Sequence, residues 1–341
     1  MADTIQLRRD TAAQWASKNP VLAAGEPGRA TDTGVIKYGD GVTPWNDLPV
    51  QQGASSGQSF IFSATSDPGT SAPGTLTVYA KTVAQRLLLK TVGPSGLDTS
   101  LQPILARNKV GMLTPSGNAA TVTTMGAYTA PTAVGTATAR SVSTASLFGR
   151  MRRIGYVSAT AAGSLASVRV AAGQITVGGA AGAGFFKVIR FGISDAVLVS
   201  GARTFVGVSS NTAAATNVEP STLTNSIGVG AGAADTNLKI FYGGSTAQVP
   251  IDLGANFPSN TTNTDVYELT LFAPPNTADV HYEVTRLNTG HVAAGTLTGN
   301  GGVALPSTTT LLTYLQAWRS NNAGTTAVGL DIMSDYIETD Y

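Results

Sequence analysis

Few side chains in this sequence are equipped for catalysis. The 341 residues include no cysteine and two histidines, His281 and His291. That excludes a thiol nucleophile and a cysteine-held zinc site. His281 falls on the polar face of an alternating stretch and His291 follows a Thr-Gly turn, so both are expected at the surface or in loops. Glycoside cleavage would need two positioned carboxyl groups, one of raised pKa. Asp252, Asp265, Glu268, Asp279 and Glu283 are too scattered to select a pair. Asp235 and Asn237 could offer oxygens to Ca²⁺, but a loop Asp-Thr-Asn is expected to be a turn capped by its own side chains. Neither a nucleophile elbow nor a phosphate-binding loop is present. Gly228-Val229-Gly230-Ala231-Gly232 lacks the dinucleotide spacing and reads as a loop or a close backbone approach. No catalytic residue, metal or cofactor is therefore expected, and the chain reads as a non-enzyme.

Binding chemistry has more candidates. Tyr242, Tyr314 and Trp318 could stack on sugar rings, with burial in a core as the competing fate. Arg150, Arg152 and Arg153 form the one concentrated charge cluster. They are expected either solvated or forked onto carboxylates of another subunit. The net charge of +1 hides an asymmetry: Lys+Arg outnumber Asp+Glu 18 to 9 up to Val218, and from Glu219 the balance is 3 to 11. This reads as a solvated basic middle and an acidic distal domain, or as complementary parts of one assembly. The basic residues are dispersed and lack interleaved aromatics, which argues against nucleic-acid binding. No apolar run is long enough to insert in a membrane, and no secretory signal pattern opens the chain.

The elements that must carry these residues are strands. Charged residues make up 12% of the chain against 42% hydrophobic, with 39 glycines. In Val266–Phe272, Tyr267, Leu269 and Leu271 share one face. In Asp279–Leu287, Val280, Tyr282 and Val284 oppose His281, Glu283 and Thr285. Period-two alternation marks sheets with one face in a core. Further strands are expected at Phe60–Ala64, Leu76–Ala80, Arg86–Val92, Phe185–Ile193, Arg203–Ser209, Asn237–Tyr242, Leu311–Arg319 and Val328–Ile337. Many short strands between turns argue for an antiparallel β-sandwich or jelly roll. Residues 143–156 break the pattern: Leu147, Met151 and Ile154 lie at helical spacing, with Ser143 or Thr144 as cap. The organisation expected is a module at 1–53 and a small β shoulder at 54–115. An extended linker with a helical turn at 116–154 and a sandwich at 155–341 follow. Gln51–Gly57 serves as the first polar linker.

Residues 5–49 are the densest run of turn chemistry. Thr11 or Asp10 can cap a helical turn through Lys18, which Asn19-Pro20 ends. Trp15, Tyr38 and Trp45 are left to bury in a segment with few other large apolar groups, too small for an independent core. Leu7-Arg8-Arg9, Trp15, Asn19-Pro20, Gly25-Glu26-Pro27-Gly28, Thr31-Asp32-Thr33-Gly34, Tyr38-Gly39-Asp40-Gly41, Trp45 and Leu48-Pro49 resemble the N-terminal domain of phage major tropism determinants. The resemblance implies a threefold intertwined β-prism near the attachment end of the virion. Trp15, Tyr38 and Trp45, with the arginines Arg150, Arg152 and Arg153 further along the chain, are the candidate assembly residues.

Two further stretches resemble phage structural proteins. One runs from Tyr79-Ala80-Lys81 through Gly93-Pro94-Ser95-Gly96 to Asn108. The other includes Arg190-Phe191-Gly192-Ile193, Arg203-Thr204-Phe205-Val206-Gly207 and Tyr336-Ile337-Glu338-Thr339, in a layout similar to concanavalin-like sandwiches. Together these resemblances imply a homotrimeric tail-fibre or receptor-binding protein, assembled in the host cytoplasm and carried on the virion. Its partners would be other virion proteins and a host-surface glycan or protein. A head or neck fibre or a capsid decoration protein is the alternative, and a polysaccharide depolymerase the third.

Overall fold

The computed structural model describes residues 8–50, 61–93, 98–100, 109–179, 182–275 and 277–339. The chain divides into two compact units, 1–61 and 62–341. The expected linker at Gln51–Gly57 lies outside the described residues, as do residues 94–97 and 101–108 of the middle segment.

The N-terminal unit is built around one helical turn and three short strands. The helix Ala12–Lys18 starts where the Thr11 side chain accepts from the Gln14 amide. It ends at Asn19 in the left-handed region with φ 39°, a conformation asparagine tolerates better than most residues. Arg8–Asp10 pairs in parallel with Pro27–Ala30, which pairs antiparallel with Ile36–Tyr38. Expectation fails on one point here. Trp15, Leu22, Ala30, Trp45 and Leu48 close a core inside a single chain, none more than 4% exposed. Two stacked indoles, 4.1 Å apart and 16° from parallel, supply apolar area that a count of large residues undervalues.

The second unit is a sandwich of two antiparallel sheets. In the first sheet the order is Thr136–Ala139, Ile154–Val157, Gly329–Thr339, Phe185–Ile193, Tyr267–Ala273, Val280–Arg286, His291–Leu297. Lys109–Pro115 also pairs with the far half of Gly329–Thr339 and carries Val122–Gly126 outside it. The second sheet runs Ile251–Asp252, Lys239–Gly243, Ser226–Ala231, Arg203–Ser209, Leu312–Ser320, Leu165–Arg169, Thr132–Val134, with Gly173–Ile175 also on Leu312–Ser320. Inner-face residues of both sheets, among them Ile189, Leu269, Val284 and Ile332 against Val206, Val229, Ile240 and Leu315, form one continuous core. The alternation of Tyr267, Leu269 and Leu271, and of Val280, Tyr282 and Val284, points into it. A separate small sheet joins Thr77–Val83, Arg86–Val92 and Asp98–Ser100.

Several expectations need correcting. The segment 116–154 is not a linker: Val122–Gly126, Thr132–Val134 and Thr136–Ala139 are hydrogen-bonded into the two sheets. Residues 109–115 belong to the sandwich and not to a shoulder. The helical turn is Leu147–Arg150 with Ser146 as its cap, not Ser143 or Thr144, and Ile154 already lies in a strand. Residues 61–63 form no strand, and Ala64 makes an isolated bridge to Ala80. Ser226–Ala231 is a strand inside the second sheet and not a loop. The close approach was rightly read: a Cβ on Gly228 would lie 2.4 Å from the Val206 carbonyl and 2.8 Å from the Phe205 ring.

Candidate functional site

The aromatic residues expected at a sugar-binding surface are covered. Tyr314 is 0% and Trp318 1% exposed, and Tyr242 is half-buried against the main core. The reason is local. Both faces of Leu312–Ser320 are occupied, so every residue in that strand is buried. Tyr314 points between the sheets. Trp318 points outward, where it packs with Phe205 and Phe241 beneath Ala215 and Leu223 of the loop over residues 210–225. Phe205 lies directly across from Trp318, their rings 6.4 Å apart.

Beside this aromatic layer the outer face opens into a cleft of about 320 Å³. Ser209, Ser226 and Gln316 come from the sheet. Asn211, Thr216 and Thr224 come from the loop, and Phe205, Leu223 and Trp318 make the apolar wall. None of its lining residues carries a formal charge. Gln316 sits across from Gly207, so no side chain fills the space opposite it. It is 4% exposed, and its Oε1 has no partner. A buried acceptor without a donor costs free energy until something donates to it. Ser209 and Ser226 hydroxyls bond each other at 2.8 Å. Hydroxyl and amide groups around an apolar wall, with no charge, suit an uncharged ligand rich in hydroxyls. Sequence reasoning found Trp318 and missed Gln316. The available signal was a glutamine between Leu315 and Ala317, in register with a glycine.

A second cleft, about 380 Å³, lies among Leu198–Ala202, Ala233–Thr236, Ser259 and Asn260, with Arg319 in its wall. Arg319 is fully committed. Asp195 receives its Nε at 2.9 Å, the Gly329 amide at 2.8 Å and the Asn260 amide at 3.0 Å, and Arg319 also donates to Thr204. This knot ties the first sheet to the second.

The arginine cluster separates into three fates. Arg150 and Arg152 are exposed, and Arg150 donates to the Thr144 carbonyl. Arg153 is neither solvated nor turned to another subunit. It pairs with Asp331 at 3.0 Å in its own chain and lies 4.5 Å over the Phe148 ring. Burial lowers its pKa, an effect Asp331 opposes. The charge asymmetry resolves in the same way. Arg86–Glu338, Arg140–Asp331, Lys187–Asp335, Arg190–Glu268 and Arg203–Glu219 join the basic stretch to the acidic one inside one chain.

The remaining chemical candidates are structural. Asp235 accepts from the Gly232 amide at 2.7 Å and pairs with Lys239, and Asn237 bonds Asp252, so the turn caps itself. His281 bonds Thr296, and partial burial lowers its pKa. His291 is exposed and bonds Thr289. Among the described residues no group of acids and histidines could hold a metal ion, and no helix is long and apolar enough to cross a membrane.

In the N-terminal unit, Trp15 and Trp45 are interior residues of a single chain. Trp15 donates to the Arg29 carbonyl at 2.9 Å, and Lys37 caps the Trp45 face and donates to its carbonyl at 2.8 Å. Gly28 makes the stack possible, since a Cβ there would lie 2.6 Å from Trp45. Among the described residues of this unit, the large apolar groups left to solvent are Val21, Tyr38 and Val50, each about half exposed, Val42, 78% exposed, and Ile61 at its end, 91% exposed.

The second unit is thus an antiparallel sandwich with a neutral surface cleft, and the first a small independent β module. Residues 5–43 match the major tropism determinant N-terminal domain. Among solved structures the chain is similar to a peanut lectin with a bound 9mer peptide, at 12% identity over 61% of this chain and 90% of that one, TM-score 0.41. Lectin II from Ulex europaeus aligns at 12% identity over 62% and 93%, TM-score 0.40. The CBM2 module of the evolved Dit of Lactobacillus casei BL23 phage J-1 aligns at 14% over 55% and 76%, TM-score 0.34. No curated protein matches the chain.

Proposed function

We propose that this chain is a non-enzymatic virion appendage protein of a tailed bacteriophage, a tail-fibre or receptor-binding protein that attaches the particle to its host. The match of residues 5–43 to the major tropism determinant N-terminal domain carries this reading. The module fixes the protein to other virion proteins and joins three copies. Its open strand edges at Arg8–Asp10 and Ile36–Tyr38 and its exposed Val21, Tyr38 and Val42 support self-association, since unpaired edges and apolar patches favour pairing. The sandwich meets the host surface, and the neutral cleft beside Gln316 holds an uncharged sugar of a surface glycan.

Adsorption is the test. Purified protein is expected to compete with phage for host cells. No competition at saturating protein would defeat the receptor-binding role, and antibody label found on head or neck would assign the alternative structural one. Light scattering is expected to give a trimer, and a stable monomer near 34.7 kDa would overturn that part. Release of reducing ends from host polysaccharide would overturn the non-enzymatic assignment.

A further inference from the structure

A lysine and a carboxyl group meet in the interior of the sandwich, where neither has any exposed surface. Lys187 lies on Phe185–Ile193 and Asp335 on the neighbouring Gly329–Thr339. Both are 0% exposed. Lys187 is registered with Ile337 and Asp335 with Ile189, so the two side chains stand diagonally on the face that carries Ile189 and Ile337 into the core. Lys187 Nζ contacts Asp335 Oδ1. Tyr128, also buried, donates its hydroxyl to the other oxygen, Oδ2. Its ring packs 5.4 Å from Tyr314 of the opposite sheet. Gly111 keeps room for it, since a Cβ there would lie 2.9 Å from the Tyr128 ring.

Such surroundings oppose the charged forms of both partners. Burial lowers the lysine pKa and raises that of the carboxyl, and their mutual attraction opposes both shifts. The neutral forms are an amine and a carboxylic acid held in contact. These are the nucleophile and the acyl donor of an amide. The chain has no cysteine, so no disulfide can reinforce it covalently.

We propose that Lys187 and Asp335 are joined by an intramolecular isopeptide bond. The Nζ lone pair adds to Cγ of the carboxylic acid. Tyr128 holds Oδ2 as the carbonyl oxygen and supports the negative charge that develops on it. Oδ1 is the hydroxyl oxygen. It leaves with its own proton and one from Nζ, as water, and the C–N amide bond remains. Nothing is oxidised or reduced, and no co-reactant is required. Contact geometry replaces a bimolecular encounter, and the hydrophobic surroundings of two fully buried groups keep bulk water from reversing the step once the product water has escaped.

Intact mass spectrometry of the denatured full chain tests this. The mass is expected to fall below the sequence mass by one water. Trypsin is expected to leave the bond after Lys187 uncut, giving a branched peptide that joins Lys187 to Asp335. A full sequence mass with linear peptides would overturn the proposal. Lys187→Met is expected to restore the full mass, whereas water loss that persists in this variant would place the dehydration elsewhere and also overturn it. If Lys187→Met does not fold, the branched peptide of the unaltered chain remains decisive. Tyr128→Phe, checked for folding by circular dichroism, is expected to leave an unlinked fraction that shrinks with time. Complete linkage at the first time point would remove Tyr128 from the step.

Discussion

Replacing Asp195 by alanine is expected to be among the most damaging single changes in the sandwich. The carboxylate is 1% exposed and receives Arg319, the Gly329 amide and Asn260. Arg319, itself 1% exposed, would keep only Thr204. A guanidinium buried without its counter-charge costs about 3–5 kcal/mol. For a domain of this size each kcal/mol lowers Tm by about 2–4 °C, so a fall of roughly 6–20 °C follows. Thermal and urea unfolding of the full chain, followed by circular dichroism, read the effect. The double change Asp195→Leu with Arg319→Met removes both charges and fills the space with apolar groups. It is expected to recover most of the loss, because an apolar replacement of a buried ion pair is often nearly neutral. A single variant within about 1 kcal/mol of the parent would refute the reasoning, since that is what an exposed pair contributes. A double variant no better than the single one would refute it too.

Three other expectations are independent of that one. Asp40 accepts from the Val42 and Thr43 amides and the Thr43 hydroxyl, and these bonds lower its pKa from 3.8 to about 2. Its folded pKa is depressed, so its stabilising effect is complete above pH 3.8 and is lost as pH falls through about 2. A carboxyl NMR titration with a midpoint at the ordinary value would contradict this. Gly28→Ala is expected to push Trp45 off Trp15 and destabilise the N-terminal unit by about 1–3 kcal/mol, the usual cost of overpacking, read by tryptophan fluorescence during unfolding. An unchanged midpoint would refute it. Gln316→Leu is expected to abolish binding of neutral glycans on an array while leaving the unfolding free energy within about 1 kcal/mol of the parent. Unchanged glycan binding would move the site away from the cleft.

What the sequence made legible depended on contrast between neighbouring residues. Tyr267, Leu269 and Leu271 alternate with polar groups, and the strand and its inner face follow directly. Arg86–Val92, Phe185–Ile193 and Arg203–Ser209 were also readable, because β-branched and aromatic residues sit between turns. Val122–Gly126 and Thr132–Val134 carry threonine, alanine and valine with no strong alternation, so nothing local separates strand from linker there. Ser226–Ala231 was hidden by its glycines, which are needed so that Phe205 can lie on Gly228. The candidate aromatics failed for a different reason. Period-two reasoning assigns a residue to a face but does not say whether the far face is covered, and the loop over 210–225 covers Trp318. The buried acids of Gly329–Thr339 look like surface residues in sequence, because their partners lie far away in the chain. Tyr128 and Asp335 are 207 residues apart.

That separation has a consequence for synthesis on the ribosome. Gly329–Thr339 sits inside the first sheet, between Phe185–Ile193 on one side and Ile154–Val157 with Lys109–Pro115 on the other. It is also the last strand of the sandwich to be translated. At about 5–20 residues per second, Tyr128 waits on the order of 10–40 s for Asp335. Through that interval the flanking strands expose bare edges, Arg86, Arg140 and Arg153 lack the carboxylates that neutralise them, and Lys187 lacks Asp335. Until Gly329–Thr339 arrives, the first sheet stays divided between Phe185–Ile193 and Ile154–Val157. A chain that stops before Gly329 lacks the strand that joins the two parts of the first sheet.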